Sequence, residues 1–102
     1  MSTGHWKLDG RIPIPCGLME WANILERGEH VLWQDEVGDS LVSTVFLGLD
    51  HRFGSDGPPL WFETMIFTDG EGDYMERTST WELAREQHLA ALARALFADA
   101  SI

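Results

Sequence analysis

Two short apolar runs, Leu41 to Leu47 and Leu60 to Phe67, flank a Gly/Pro-rich loop that carries Asp50 and His51. Both runs are strongly β-forming, with Val, Thr, Ile and aromatic residues bounded by turn formers, and they read as strands. Polar residues interrupt each run, Ser43 and Thr44 in the first, Glu63 and Thr64 in the second. A site built on such a sheet would draw on them together with Asp50 and His51.

The neighbouring segments extend this pattern into a meander. His30 to Glu36 precedes Val37-Gly38-Asp39 and the Leu41 run, a strand-turn-strand signature in which Gly38 supplies the turn conformation. Beyond the Leu60 run, the turn-rich Thr68-Asp69-Gly70-Glu71-Gly72 leads into a further strand, Asp73 to Thr78. Antiparallel pairing of consecutive strands is the expectation.

The ends of the chain read differently. Trp6-Lys7-Leu8 and Arg11 to Ile14 flank Asp9-Gly10, which predicts a small N-terminal hairpin. Pro13 and Pro15 lack amide hydrogens, so the second arm is expected to be an edge strand that ends the sheet on that side. From Gly17 to Arg27, Leu18, Trp21, Ile24 and Leu25 recur at helical spacing for core packing, and Gly28 is a natural stop. The clearest helix is the last, over about Thr80 to Phe97, where Ser79 and Glu82 fit a capping box. There Trp81, Ala84, His88, Ala91, Leu92, Ala95 and Leu96 define one face able to lie on the sheet. His88, inside that face, reads as a packed or hydrogen-bonded core residue. The expected fold is α+β: an antiparallel sheet of about four main strands with a short N-terminal hairpin and two helices, the C-terminal one packed on one face.

At 102 residues, with 44% hydrophobic and 11% aromatic content, the chain suits one domain, residues 1–102, with an adequate core. Its formal charge of −10, from 17 acidic and 7 basic side chains, argues against direct binding to a phosphate backbone, which depends on Lys and Arg. The same balance favours solubility and suits a basic partner. Cys16 is the only cysteine, so an intramolecular disulfide and a cysteine-rich zinc site are both excluded. It reads as a structural, buried thiol. No apolar run approaches membrane-spanning length, and the N-terminal residues do not resemble a secretion signal, so a cytoplasmic protein is expected.

Catalytic signatures are sparse. Histidines at 5, 30, 51 and 88 show no metal-binding spacing, so neither a metal nor a cofactor is expected. The best improvised ligand cluster is Asp50, His51, Asp56 and Glu63, and a small metal-assisted hydrolase using Asp50, His51 and Glu63 is the enzymatic alternative. Ser43 or Ser55 with His51 and Asp50 makes a triad only on paper, since no G-x-S-x-G elbow is present. The acidic residues are more suggestive. Asp35, Glu36 and Asp39 surround one turn, and Asp69, Glu71, Asp73 and Glu76 another. If adjacent hairpin ends bring these clusters together, they form a negative surface suited to a Lys/Arg-rich groove.

The segments L-D-G-R-I-P-I-P at Leu8 to Pro15, L-M-E-W-A at Leu18 to Ala22, V-S-T-V-F-L-G-L-D-H at Val42 to His51, G-P-P-L-W-F-E-T-M-I-F at Gly57 to Phe67 and S-T-W-E at Ser79 to Glu82 span nearly the whole chain. Together they resemble a family of small bacteriophage and prophage proteins of unassigned function. The resemblance implies a phage accessory protein acting in the cytoplasm of a bacterial host, and it supplies no catalytic or binding residues. With the charge, it leads to the expectation of a non-enzymatic inhibitor of a host defence or nucleic-acid-processing complex, in the manner of anti-CRISPR proteins. Its partner is expected to be a host protein with a basic nucleic-acid-binding surface, met through Asp35, Glu36, Asp39, Asp50, His51, Asp69, Glu71 and Asp73. A structural or assembly factor acting as a homo-oligomer, such as a homodimer, is the remaining alternative.

Overall fold

A computed structural model describes residues 4–49 and 57–100. Asp50 and His51, with Phe53, Ser55 and Asp56, lie outside the described residues. The elements run β1 (Trp6–Asp9), β2 (Ile12–Pro15), α1 (Leu18–Glu26), β3 (Val31–Val37), β4 (Ser40–Phe46), β5 (Phe62–Thr68), β6 (Glu71–Thr78) and α2 (Trp81–Ala100). Strands β3 to β6 form an antiparallel sheet in sequence order, and α2 packs across it. The fold is α+β, with the expected meander and C-terminal helix.

Alternation along the two central strands separates the faces of this sheet. Val42, Thr44 and Phe46 on β4, opposite Ile66, Thr64 and Phe62 on β5, lie under the helix. Small residues let α2 approach closely: Ala84, Ala91 and Ala95 are all buried. Ala84 meets Phe46 and Phe62, whereas Ala91 and Ala95 meet Val42, Ile66 and Val37. His88, between them on the helix, faces Thr44, between Val42 and Phe46 on the strand. The core is thus two apolar clusters separated by one polar layer, because helix steps of three or four residues match strand steps of two.

Several expectations need correction. The N-terminal hairpin is a separate two-stranded sheet and does not border the main one. It is tied to the chain after β4 by the Trp6 amide donating to the Gly48 carbonyl at 2.9 Å, and Trp6 and Leu8 pack beside Trp61 in the second cluster. Helix α1 buries no residue completely, and Leu18 is 57% exposed. Its anchor is Trp21, whose indole donates to the Leu47 carbonyl at 3.2 Å and whose ring lies 5.0 Å from that of His5. The α2 cap is Thr80, whose Oγ1 accepts from the Leu83 amide at 3.1 Å, so the helix is capped one residue after the expected Ser79 and by a simple cap rather than by the Ser79–Glu82 box. Leu96 is 53% exposed and does not belong to the sheet-facing stripe.

Candidate functional site

The end of the sheet where β3 turns into β4 and β5 into β6 gathers the acidic residues. Both connections are two-residue hairpin loops, since Val37 pairs with Ser40 and Thr68 with Glu71. Asp69 and Gly70 have φ of 54° and 83°, the two successive positive values that an Asp-Gly hairpin turn requires. The two turns are joined to each other. Asp69 donates its amide to the Asp39 carbonyl at 3.3 Å, and the Ser40 and Thr68 hydroxyls share a hydrogen bond of 2.9 Å.

These bonds place the two acidic clusters of the sequence side by side. Glu36 and Asp39 line a shallow groove of about 580 Å³ with Gly38, Ser40, Leu41, Phe67 and Gly70. Glu71 follows the second turn directly. Asp73 occupies a bulge, because Phe67 pairs with Gly72 and Ile66 with Tyr74, leaving one extra residue on β6 between them. A further carboxylate comes from α2: the Asp99 side chain lies over Gly38, close enough to occupy the place of a Cβ there. Sequence reasoning missed Asp99. The available signal was an acid in the last turn of a helix, where the helix dipole favours cations and a carboxylate has no local reason to sit.

Asp35 belongs elsewhere. Its Oδ2 lies 2.7 Å from Nε2 of His88, on the helix-covered side of the sheet. The imidazole Nδ1 is 2.8 Å from Thr44 Oγ1, which is 2.6 Å from Thr64 Oγ1. An Asp-His-hydroxyl chain of this order has the connectivity of a hydrolytic triad. Its hydroxyl, however, cannot meet a substrate, since Thr44 and His88 are both 0% exposed. The chain fastens α2 to the sheet, in keeping with the core role read for His88. Thr64 is therefore committed to Thr44, and Glu63, on the opposite face, accepts from Arg77 Nε at 3.0 Å.

Among the described residues no three His, Cys, Asp or Glu side chains converge to hold a metal ion. The guanidinium of Arg77 also opposes a cation at Glu63. Cys16 is buried, and burial, reinforced by the charge of Glu20 and opposed by Lys7, pushes its thiol above the ordinary value of 9.0. That is the behaviour of a packing residue, not of an activated nucleophile. No helix among the described residues is long and apolar enough to cross a membrane.

The acidic end can accept cationic groups. No protein-family model matches the chain, and neither a curated protein nor a solved structure shows significant similarity to it.

Proposed function

We propose that this chain is a non-enzymatic binding protein that docks, through the acidic end of its sheet, on a basic nucleic-acid-binding surface of a host protein. The observation that carries the reading is the pairing of the two turns, which brings Asp39 beside Asp69 at one end of the sheet, with Glu36 in the adjoining groove. Leu41 and Phe67 give the groove an apolar floor beneath its acidic rim. A Lys or Arg side chain matches both parts, with its aliphatic stem on the floor and its charged head at the carboxylates. A phage setting, and with it inhibition of a defence or nucleic-acid-processing complex, is proposed from the family resemblance alone.

Charge replacement tests the reading. The variants are Glu36→Lys with Asp39→Lys, and Asp69→Asn with Glu71→Lys; Asn is used at 69 because it tolerates the positive φ. Glu26→Lys with Glu86→Lys makes a charge change elsewhere on the exposed surface. Host nucleic-acid-binding proteins captured by the wild type at low salt should be lost by at least one of the first two variants and retained by the third. Capture should also fall steeply with salt, since rim charges act through attraction screened over about 8 Å at physiological ionic strength. Unchanged affinity of both hairpin variants for the same partner at low salt would dispose of the proposal.

A further inference from the structure

The opposite end of α2 carries a groove of another chemistry. It has a volume of about 420 Å³ and is lined by Arg11, Trp33, Trp81, Glu82 and Arg85. Three elements meet there: the β1–β2 turn supplies Arg11, β3 supplies Trp33, and the first turns of α2 supply the rest. The indoles of Trp33 and Trp81 pack edge to face with centroids 5.1 Å apart, and Trp33 also leans on the His88 ring at 5.8 Å. The aromatic floor is therefore held by the same buried layer that fastens the helix.

The two arginines are held in an unusual way for so acidic a chain. Among the described residues, Lys7, Arg27 and Arg77 pair with Glu20, Glu29 and Glu63. Arg11 and Arg85 instead lie over indoles, 5.4 Å from the ring centroid of Trp81 and 4.9 Å from that of Trp33, as Arg94 lies over Tyr74 away from this groove. A guanidinium held over an aromatic face keeps its charge and leaves N–H donors at its rim. Two such groups at one groove present a fork for an oxyanion.

We propose that this groove binds a small aromatic ligand bearing an oxyanion, of the mononucleotide class. Inorganic phosphate alone would leave the indole floor unused, and the groove's volume falls in the range of small-molecule pockets. A nucleobase stacks on aromatic rings and on guanidinium planes, while the phosphate takes the guanidinium donors. Glu82, the one carboxylate lining the groove, accepts from a ribose hydroxyl or an exocyclic amine. The chain's overall negative charge does not forbid a single bound anion, because the acidic end lies at the far end of a 20-residue helix, about 30 Å long, several screening lengths away.

Titration with AMP, followed by intrinsic tryptophan fluorescence and calorimetry, tests the proposal, with adenosine and inorganic phosphate as comparison arms. AMP should bind saturably with a dissociation constant below about 1 mM, and at least about tenfold more tightly than either fragment. Arg11→Gln, in an exposed turn, and Arg85→Gln should each weaken AMP by about tenfold while the thermal transition stays in place. Absence of AMP binding at millimolar concentration would overturn the proposal. So would equal binding of AMP by the arginine variants, or equal affinity for AMP and phosphate.

Discussion

Asp35 and His88, 53 residues apart in the chain, meet at 2.7 Å where β3 passes beneath α2. The carboxylate can only accept, so a neutral imidazole must carry its proton on Nε2 and donate it to Asp35. Nδ1 then accepts from the Thr44 hydroxyl, and Thr44 in turn accepts from Thr64. Each ring nitrogen and hydroxyl of this buried layer has a hydrogen-bond partner, which is what allows a polar layer between two apolar clusters.

The energetic consequence is unequal between the two partners. His88→Ala removes a wholly buried side chain and its contacts, and should cost about 2–5 kcal/mol. Asp35→Asn touches a side chain that is 49% exposed, where solvent screens the interaction, and should cost no more than about 1 kcal/mol. Thr44→Val falls between them, about 1–3 kcal/mol, because it keeps the shape of the site and leaves Nδ1 without its donor. Urea denaturation of the three variants gives the ranking. An Asp35 variant as costly as His88→Ala would show that the hydrogen bond to Asp35, rather than packing, dominates.

Glycines at two positions make close approaches of different character. A Cβ at Gly48 would stand 2.7 Å from the Trp6 carbonyl oxygen and also run into the Trp21 indole, at a φ of 71°. At Gly38 the φ is 57° and the obstacle is the Asp99 carboxylate, the end of a flexible side chain that can rotate away. Both alanine variants carry the left-handed backbone penalty of about 1–2 kcal/mol. Gly48→Ala should cost clearly more, because backbone of the N-terminal hairpin must also move. Thermal melting of the two variants measures the difference, and equal shifts would mean that the hairpin yields without resistance.

The parts of this fold that were legible in the sequence are those where one local pattern decided the outcome. The β-forming character of Leu41 to Leu47 and Leu60 to Phe67 marked the two central strands, and the turn residues marked the hairpins. Which face meets the helix was not legible, since Leu41, Val45, Met65 and Phe67 make the other face apolar too. The adjacency of Asp39 and Asp69 was conditional, since it depends on how β4 and β5 pair in register. The contact of Asp35 with His88 was missed for the same reason as Asp99: each is placed by an element distant in sequence. Alternation puts Asp35 on the helix-facing side of β3, yet only the position of α2 sets His88 against it. The groove with Trp33 and Trp81 was equally illegible, being assembled from a turn, a strand and a helix.

Leu92 and Leu96 illustrate a further limit, since spacing of three and four residues admits both to one stripe. In the structure Leu92 is half-buried against the first apolar cluster, whereas Leu96 faces outward. Leu92→Ala should therefore cost about 1–2 kcal/mol, less than full burial would imply. Leu96→Ala should stay within about 0.5 kcal/mol of the parent, as surface substitutions usually do. Chemical denaturation separates the two cases, and a large loss at Leu96 would point to an interface that covers it.

The raised thiol of Cys16 leads to a prediction about alkaline pH. A group that holds its proton more tightly when folded leaves the native state with more bound protons than the unfolded state, so stability falls as pH rises. The contribution is complete below the ordinary value of 9.0 and is lost as pH climbs through the higher folded value. Lys7 acts in the same sense. Its pKa is raised, chiefly by its hydrogen bond and charge interaction with Glu20, and that contribution is lost above 10.5. Substitution tells the two apart. Cys16→Ala should flatten the decline that begins near pH 9, whereas Lys7→Met should flatten the later one and deepen the first, because Lys7 opposes the rise at Cys16. Alkylation by iodoacetamide gives an independent reading: native Cys16 should react more slowly than the same thiol in urea, the ratio of the two rates being largest below pH 9 and shrinking as pH rises through the folded value. Equal rates in the two states would show that burial does not hold the proton on sulfur.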